Sequence, residues 1–173
     1  MASTNFKIDK SHTNLTFTIS HFVIAKVNGT FKVFSGTIVT ENDDMDNAKL
    51  ELTIEANSID TNDVNRDGHL KTADFFDVAK FPFITFKSSN FKKGVENNFN
   101  IEGILTVNGI EKTHQIKAIF EGTFEHPMTK NTIAVFNVST EITRKDFNIG
   151  LTYPAAALGD IVKLESTIEL IKE

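Results

Sequence analysis

Apolar and polar residues alternate along most of the chain. LTFTI at 15–19 sets Leu15, Phe17 and Ile19 against threonines, and KLELTIEA at 49–56 sets Leu50, Leu52, Ile54 and Ala56 against charged residues and Thr53. FNIEGILTV at 99–107 gathers Phe99, Ile101, Gly103, Leu105 and Val107 on one face; HQIKAIFE at 114–121 gathers Ile116, Ala118 and Phe120. AVFNVSTEI at 134–142 contributes Ala134, Phe136, Val138 and Ile142, and VKLESTIEL at 162–170 contributes Val162, Leu164, Ile168 and Leu170. A period of two is that of a strand with one buried face. GTFKVFSGTIV at 29–39 and PFITFKSS at 82–89, with Phe86, bring the predicted strands to eight.

Turn signals separate these runs: Asn28-Gly29, ENDDMDN at 41–47, KKGVEN at 92–97, Asn108-Gly109 and HPMTKN at 126–131. Short links between neighbours imply an antiparallel meander. Eight such strands, apolar inside and polar outside, close into an all-β barrel without free edges, the alternative being an open two-sheet sandwich. A barrel of this size holds one small ligand or is filled by its own side chains.

Two excursions interrupt the meander, at 57–81 and 143–160. In the first, Leu70, Ala73 and Phe76 recur at helical spacing, which predicts a short helix around 67–77 with Asp67 at its N-cap. The same stretch, DVNRDGHLKTAD at 63–74, nearly matches an EF-hand loop through Asp63, Asn65, Asp67, Gly68 and Asp74. A strand rather than a helix precedes it, its last ligand position is Asp instead of Glu, and Arg66 opposes a cation. An Asx-rich turn leading into an Asp-capped helix accounts for the same residues.

A length of 173 residues suits a single domain spanning 1–173. A net charge of −5 from interspersed charges gives no footprint for nucleic acid. No apolar run approaches the roughly 20 residues of a membrane helix, so no integral membrane segment is expected. The N-terminus MASTNFKIDK has no apolar signal region, which points to the cytoplasm, or to the periplasm if an export signal once preceded it. The absence of cysteine excludes disulfides and thiol chemistry. Sixteen of the seventeen aromatic residues are Phe, and a ring without a polar handle asks for dry surroundings.

None of the five histidines, His12, His21, His69, His114 and His126, sits in a catalytic motif, and no enzyme activity is expected. His21 and His114 fall on inward faces, where each either meets a ligand head group or is satisfied by backbone. Arg144 with Asp146, and Arg66 with Asp67, are expected to be local ion pairs or turn anchors.

In order along the chain, FKIDKSHTNLTFTISHF, VNGTFKVFSGTI, NSIDT, RDGHLKTADFFDVAKFPFITFKSS, GILTVNGIEKTH and TRKDFNIG resemble the YceI-like family from about Phe6 to Leu170. Ser58-Ile59-Asp60-Thr61, Arg66-Asp67 and Asp74-Phe75-Phe76-Asp77 are its most specific block. The resemblance implies a lipocalin-like barrel that binds a polyisoprenoid lipid such as a quinone or a polyprenyl phosphate, and it explains the EF-hand-like string as the family's crossover. Phe6 stands where the family usually has Trp or Tyr. Asn148 stands where it tends to have glycine, and Asn tolerates the left-handed backbone such a turn needs.

Strand parity gives the expected lining: Leu15, Phe17, Ile19, Leu52, Ile54, Phe86, Ile101, Leu105, Ile116, Ala118, Phe136, Val138, Leu164 and Ile168. Phe22, Phe75 and Phe76 are expected at the mouth as plug or gate. The only partner expected is the amphiphilic isoprenoid, with homodimerisation left open, and no cofactor is expected beyond that bound lipid. The competing readings are a filled barrel acting through surface contacts, as a protein-interaction or stress-related module, and a calcium-binding protein.

Overall fold

A computed structural model describes residues 2–41 and 44–173. Asn42 and Asp43, part of the turn predicted at 41–47, lie outside the described residues. The strands are β1 Thr4–Ile8, β2 Leu15–His21, β3 Ala25–Phe31, β4 Phe34–Thr40, β5 Lys49–Glu55, β6 Ile59–Asp60, β7 Phe83–Lys93, β8 Asn98–Val107, β9 Ile110–Glu125, β10 Thr132–Thr143 and β11 Leu158–Lys172. One helix, α1, spans Val64–Leu70.

All pairings are antiparallel, and the sheet closes where β1 meets both β4 and β11. The eleven segments form eight barrel strands, because three of those strands are interrupted. β11 pairs with β2 through Leu158–Leu164 and with β1 through Leu170–Lys172, so β1 and β2 are two halves of one strand. β3 and β4 are likewise halves of one strand broken at Lys32-Val33, and β5 continues into β6 through a single 3-10 turn at Ala56–Ser58. The break at 9–14 is pinned to β11: Asp9 N donates to Glu169 O at 2.8 Å, and Glu169 N donates to Thr13 Oγ1 at 3.0 Å. Inside it, His12 Nδ1 lies 2.8 Å from Asp9 Oδ2 and 3.8 Å from Glu169 Oε2.

The alternating faces turn inward as their parity predicts, from Leu15 in β2 to Leu170 in β11. Three expectations need correction. The predicted strand at 29–39 is two, because the Lys32-Val33 break lets both Phe31 and Phe34 point inward. The N-terminal strand β1, with Phe6 and Ile8 buried, escaped notice because only two inward positions precede Asp9. Asn28-Gly29 is not a turn; it lies within β3, opposite Thr18 and Phe17, and a Cβ on Gly29 would stand 2.3 Å from the Phe17 ring.

The true β2–β3 turn is the three residues 22–24, with Phe22 and Val23 at φ 49° and 67°. A β-branched residue in the left-handed region is a steric outlier, costing on the order of 1–3 kcal/mol. The β8–β9 turn, in contrast, uses the expected Asn108-Gly109, at φ 52° and 70°.

The helix also differs from its predicted position. It begins three residues earlier, capped by Asp63, whose Oδ1 accepts from Arg66 N at 3.0 Å, and it stops at Leu70. Thr72 Oγ1 donates to His69 O, and successive tight turns follow to Asp77 at φ 44°. The spacing of Leu70, Ala73 and Phe76 is therefore not a helical stripe, and Ala73 is exposed. Asp67 is inside the helix and reaches back to accept from Thr61 N at 2.9 Å and Thr61 Oγ1 at 2.6 Å. The other EF-hand-like carboxylates have local tasks too, since Asp74 Oδ2 lies 3.5 Å from His69 Nε2.

Candidate binding cavity

The barrel interior divides into two halves of different character. At the end where β9 and β10 meet His126–Asn131, four phenylalanines fill the lumen. Phe136 lies 5.1 Å from Phe120, 5.9 Å from Phe99 and 6.4 Å from Phe91 between ring centroids, mostly tilted or edge-on. Toward the other end the strands diverge, because β6 is only two residues long and leaves the neighbouring edge to the crossover at 61–82. A cavity of about 430 Å³ opens there, with an almost wholly apolar wall.

The two excursions, unrelated in sequence, cover this cavity together. Phe75 and Phe76 reach into it from the first; Phe75 packs on Tyr153 of the second at 5.5 Å, and Phe76 meets Phe31 edge-on at 5.8 Å. Gly150 N donates to Asp74 O at 2.8 Å. Asn108 Nδ2 donates to both Phe75 O and Phe147 O, at 2.7 and 2.9 Å, tying both excursions to the β8–β9 turn.

Arg144 organises the second excursion from a fully buried position, at 0% exposure. Its Nε donates to Gly159 O, its Nη1 to Ile149 O and Gly150 O, and its Nη2 to Tyr153 O and Leu158 O. Its carboxylate partner is Asp160, at 3.4 Å, and not the expected Asp146. Desolvation lowers its pKa, Asp160 acting in the opposite sense. Asn148 occupies the left-handed region at φ 56°, so the turn that glycine would favour survives the departure. Arg66 is held similarly, with Nε on Thr61 Oγ1 at 2.8 Å and Nη2 on Thr61 O at 2.6 Å.

Of the residues expected to line a site, Phe17, Ile19, Phe22, Leu52, Ile54, Phe75, Phe76, Phe86, Leu105, Ile116 and Leu164 border the cavity. Leu15, Ile101, Ala118, Phe136, Val138 and Ile168 do not; they face inward but belong to the packed half of the barrel or its boundary. Parity distinguishes inside from outside and carries no information on which inward layer is filled. Among the wall residues that sequence reasoning did not assign to the site are Val27, Leu70, Ile149, Tyr153 and Leu158. Four of these lie in the excursions or at their ends, where no strand periodicity marks them.

Both inward histidines border the cavity. His21 is exposed at the rim beside the Phe22 ring, 4.3 Å away. His114 is half-buried in the wall, its Nε2 2.6 Å from Thr140 Oγ1. Thr140 gives its own proton to Gln115 O at 2.7 Å, so it accepts from His114 Nε2–H and the neutral tautomer with Nδ1 unprotonated fits. Desolvation moves the His114 pKa below its ordinary 6.5. The folded chain thus binds fewer protons at this site than the unfolded chain in the window below 6.5. The stability contribution of His114 is complete above that value and is lost as pH falls through the depressed pKa.

His12 has the opposite sign: its hydrogen bond to Asp9 raises its pKa, so its contribution is complete below 6.5 and is lost as pH rises through the raised value. His114→Phe is expected to flatten the slope of melting temperature against pH in the window just below 6.5, while keeping the alkaline-side slope and the steeper acid loss from the Asp9, Asp60 and Asp63 carboxylates, as followed by thermal melts in a pH series. An unchanged slope just below pH 6.5 would contradict the assignment.

Asp9, His12 and Glu169 bring three ligand-type atoms within 4.8 Å of one another, and they are the metal-type cluster found among the described residues. Their mutual hydrogen bonds and those of Thr13 make them a latch across the strand break.

Residues 6–170 match the YceI-like domain. The chain belongs to the YceI-like family. Protein YceI of Salmonella newport (strain SL254) is 39% identical over 146 residues, which cover 83% of this chain and 75% of that relative. BcnA of Burkholderia cenocepacia superposes with a TM-score of 0.83 over 94% of this chain and 98% of its own, at 21% identity. A polyisoprenoid binding domain from Saccharophagus degradans implicated in plant cell wall breakdown superposes with a TM-score of 0.71 over 97% and 98%, at 14% identity. At those identities the two structures establish the YceI-like barrel fold. No helix among the described residues is long and apolar enough to cross a membrane.

Proposed function

We propose that this YceI-like barrel encloses the hydrocarbon tail of an amphiphilic isoprenoid and carries it without chemical change. The observation that carries the reading is the cavity itself: about 430 Å³, walled by aromatic and branched aliphatic side chains and blind at the phenylalanine-filled end. That volume lies in the roughly 300–1,000 Å³ range of small-molecule sites. Each methylene buried there contributes about 0.8 kcal/mol, so roughly ten carbons offset much of an association cost of about 4–15 kcal/mol. The binding named for the Saccharophagus degradans domain agrees in kind.

Head-group chemistry follows from the polar atoms of the wall. Its two cations, Arg66 and Arg144, are engaged by backbone and side-chain oxygens, and His114 is held neutral. Those engagements favour an uncharged head, such as a quinone, over a phosphate drawn inside.

Mass spectrometry of an organic extract tests the reading, on protein offered a long-chain quinone and then repurified. Stoichiometric retention is expected for the wild type, and loss of retention is expected for Ile116→Trp, whose side chain lines the cavity on β9 opposite Ile101 of β8. Absence of retained lipid, together with no uptake of a dye that fluoresces in apolar cavities, would leave the filled barrel as the better reading.

A further inference from the structure

Three consecutive apolar residues at the β2–β3 turn project into solvent: Phe22, Val23 and Ile24 are 63%, 71% and 93% exposed. Their backbone is held there at steric expense, with Phe22 and Val23 left-handed and Ile24 N donating to Phe22 O at 2.7 Å. Among the described residues, Asn fills four of the eight other left-handed non-glycine positions, 47, 62, 108 and 148, and none of those eight holds a β-branched or aromatic residue. An Asn-Gly tip at 22–23 would fold more easily, so neither turn chemistry nor core packing accounts for these side chains. An outlier of this kind points to function.

The location is informative. Phe22 lines the cavity, and its N–H donates to Ala157 O at 3.1 Å, which sets the tip against the second excursion. Leu151, Ala155 and Ala156 of that excursion are exposed as well. The apolar surface therefore runs outward from the cavity rim. Charge agrees with this: from Leu15 to Phe31 the only charged side chain is Lys26, although the chain carries 23 acidic residues. A tip without carboxylates approaches an anionic lipid surface unopposed.

We propose that the β2–β3 tip docks on a lipid bilayer, inserting Val23 and Ile24 among the head groups so that the cavity mouth faces the acyl region. This rests on the lipid-carrier reading for its purpose, since a guest with a hydrocarbon tail would then pass between bilayer and barrel without crossing water. The geometry resembles interfacial anchoring by a short apolar element, whose strength follows the apolar area inserted.

The test is co-sedimentation with vesicles of phosphatidylcholine and phosphatidylglycerol, comparing wild type with a Val23→Asn/Ile24→Ser double variant. Neither residue borders the cavity, and Asn relieves the left-handed strain at 23, so the variant is expected to melt no lower than the wild type. Wild type is expected to pellet with vesicles and the variant to partition at least tenfold less, with equal dye uptake in vesicle-free solution. Wild type remaining in the supernatant, or equal pelleting of both, overturns the proposal. So does a vesicle-independent loss of self-association in the variant, which would make the tip an interface between copies. Dye uptake without pelleting removes docking and spares the carrier reading; pelleting without dye uptake supports docking and removes the carrier reading.

Discussion

Arg144→Lys is expected to lower the melting temperature sharply and to open the loop over the cavity. The guanidinium satisfies five carbonyls, from Ile149 to Gly159, in one plane, and no secondary structure serves most of that segment. Lysine keeps the charge but brings a compact ammonium with three donors and no fork, so it cannot span partners on opposite sides of the loop. Two carbonyls left without a partner at about 1–3 kcal/mol each suggest a loss of about 4 kcal/mol, or a fall of about 8–16 °C in a chain of this size. Calorimetry measures the fall, and proteolysis near Leu151–Ala156 reports the opened loop. A change within about 2 °C would show that the loop is held by Asn108 and the Gly150–Asp74 hydrogen bond instead.

The role of Arg144 was hidden in the sequence because backbone carbonyls have no identity there. A neighbouring Asp146 suggested an ion pair, while the actual partners are spread up to sixteen residues downstream. The strands were legible for the opposite reason. A closed barrel half-buries every strand, and half-burial imposes the period-two pattern that Leu50-Leu52-Ile54 or Phe136-Val138 display. The limits of that pattern are equally physical. Asn28-Gly29 satisfies turn chemistry, yet it serves to admit the Phe17 ring; Phe22-Val23 violates turn chemistry and is nevertheless the turn. Legibility fails where a residue answers to contacts that no strand period or turn rule encodes, and the β2–β3 tip is the clearest case in this chain.

The cavity was legible only as an inward face. Phe86 and Leu105 border open space while Phe99 and Phe136, of the same parity, are packed against other rings. What separates them is the number of rings converging on one level of the barrel, and that depends on the stagger between strands. β8 brings Phe99 opposite Ala118 of β9, and β9 brings Phe120 opposite Phe136 of β10, so the rings converge at that level with Ala118 leaving room for Phe99.

Phe136→Ala is accordingly expected to have the largest effect of any single change in the filled half. Its ring contacts the other three of the cluster and is 3% exposed, so truncation leaves a void that Ala118 and Ala134 are too small to fill. Phe→Ala in a core costs about 3–5 kcal/mol, which corresponds to a fall of about 6–20 °C here. Destabilisation alone would say only that Phe136 is core. The discriminating measurement is ligand length: a series of alkyl quinones of increasing chain length, offered to wild type and variant below both melting temperatures. If the phenylalanine cluster is the floor of the site, the preferred chain lengthens in Phe136→Ala, because added methylenes gain apolar contacts at about 0.8 kcal/mol each where the ring stood. An unchanged length preference, with the expected loss of stability, would place the end of the bound tail above the cluster, at the layer of Ile116 and Thr140.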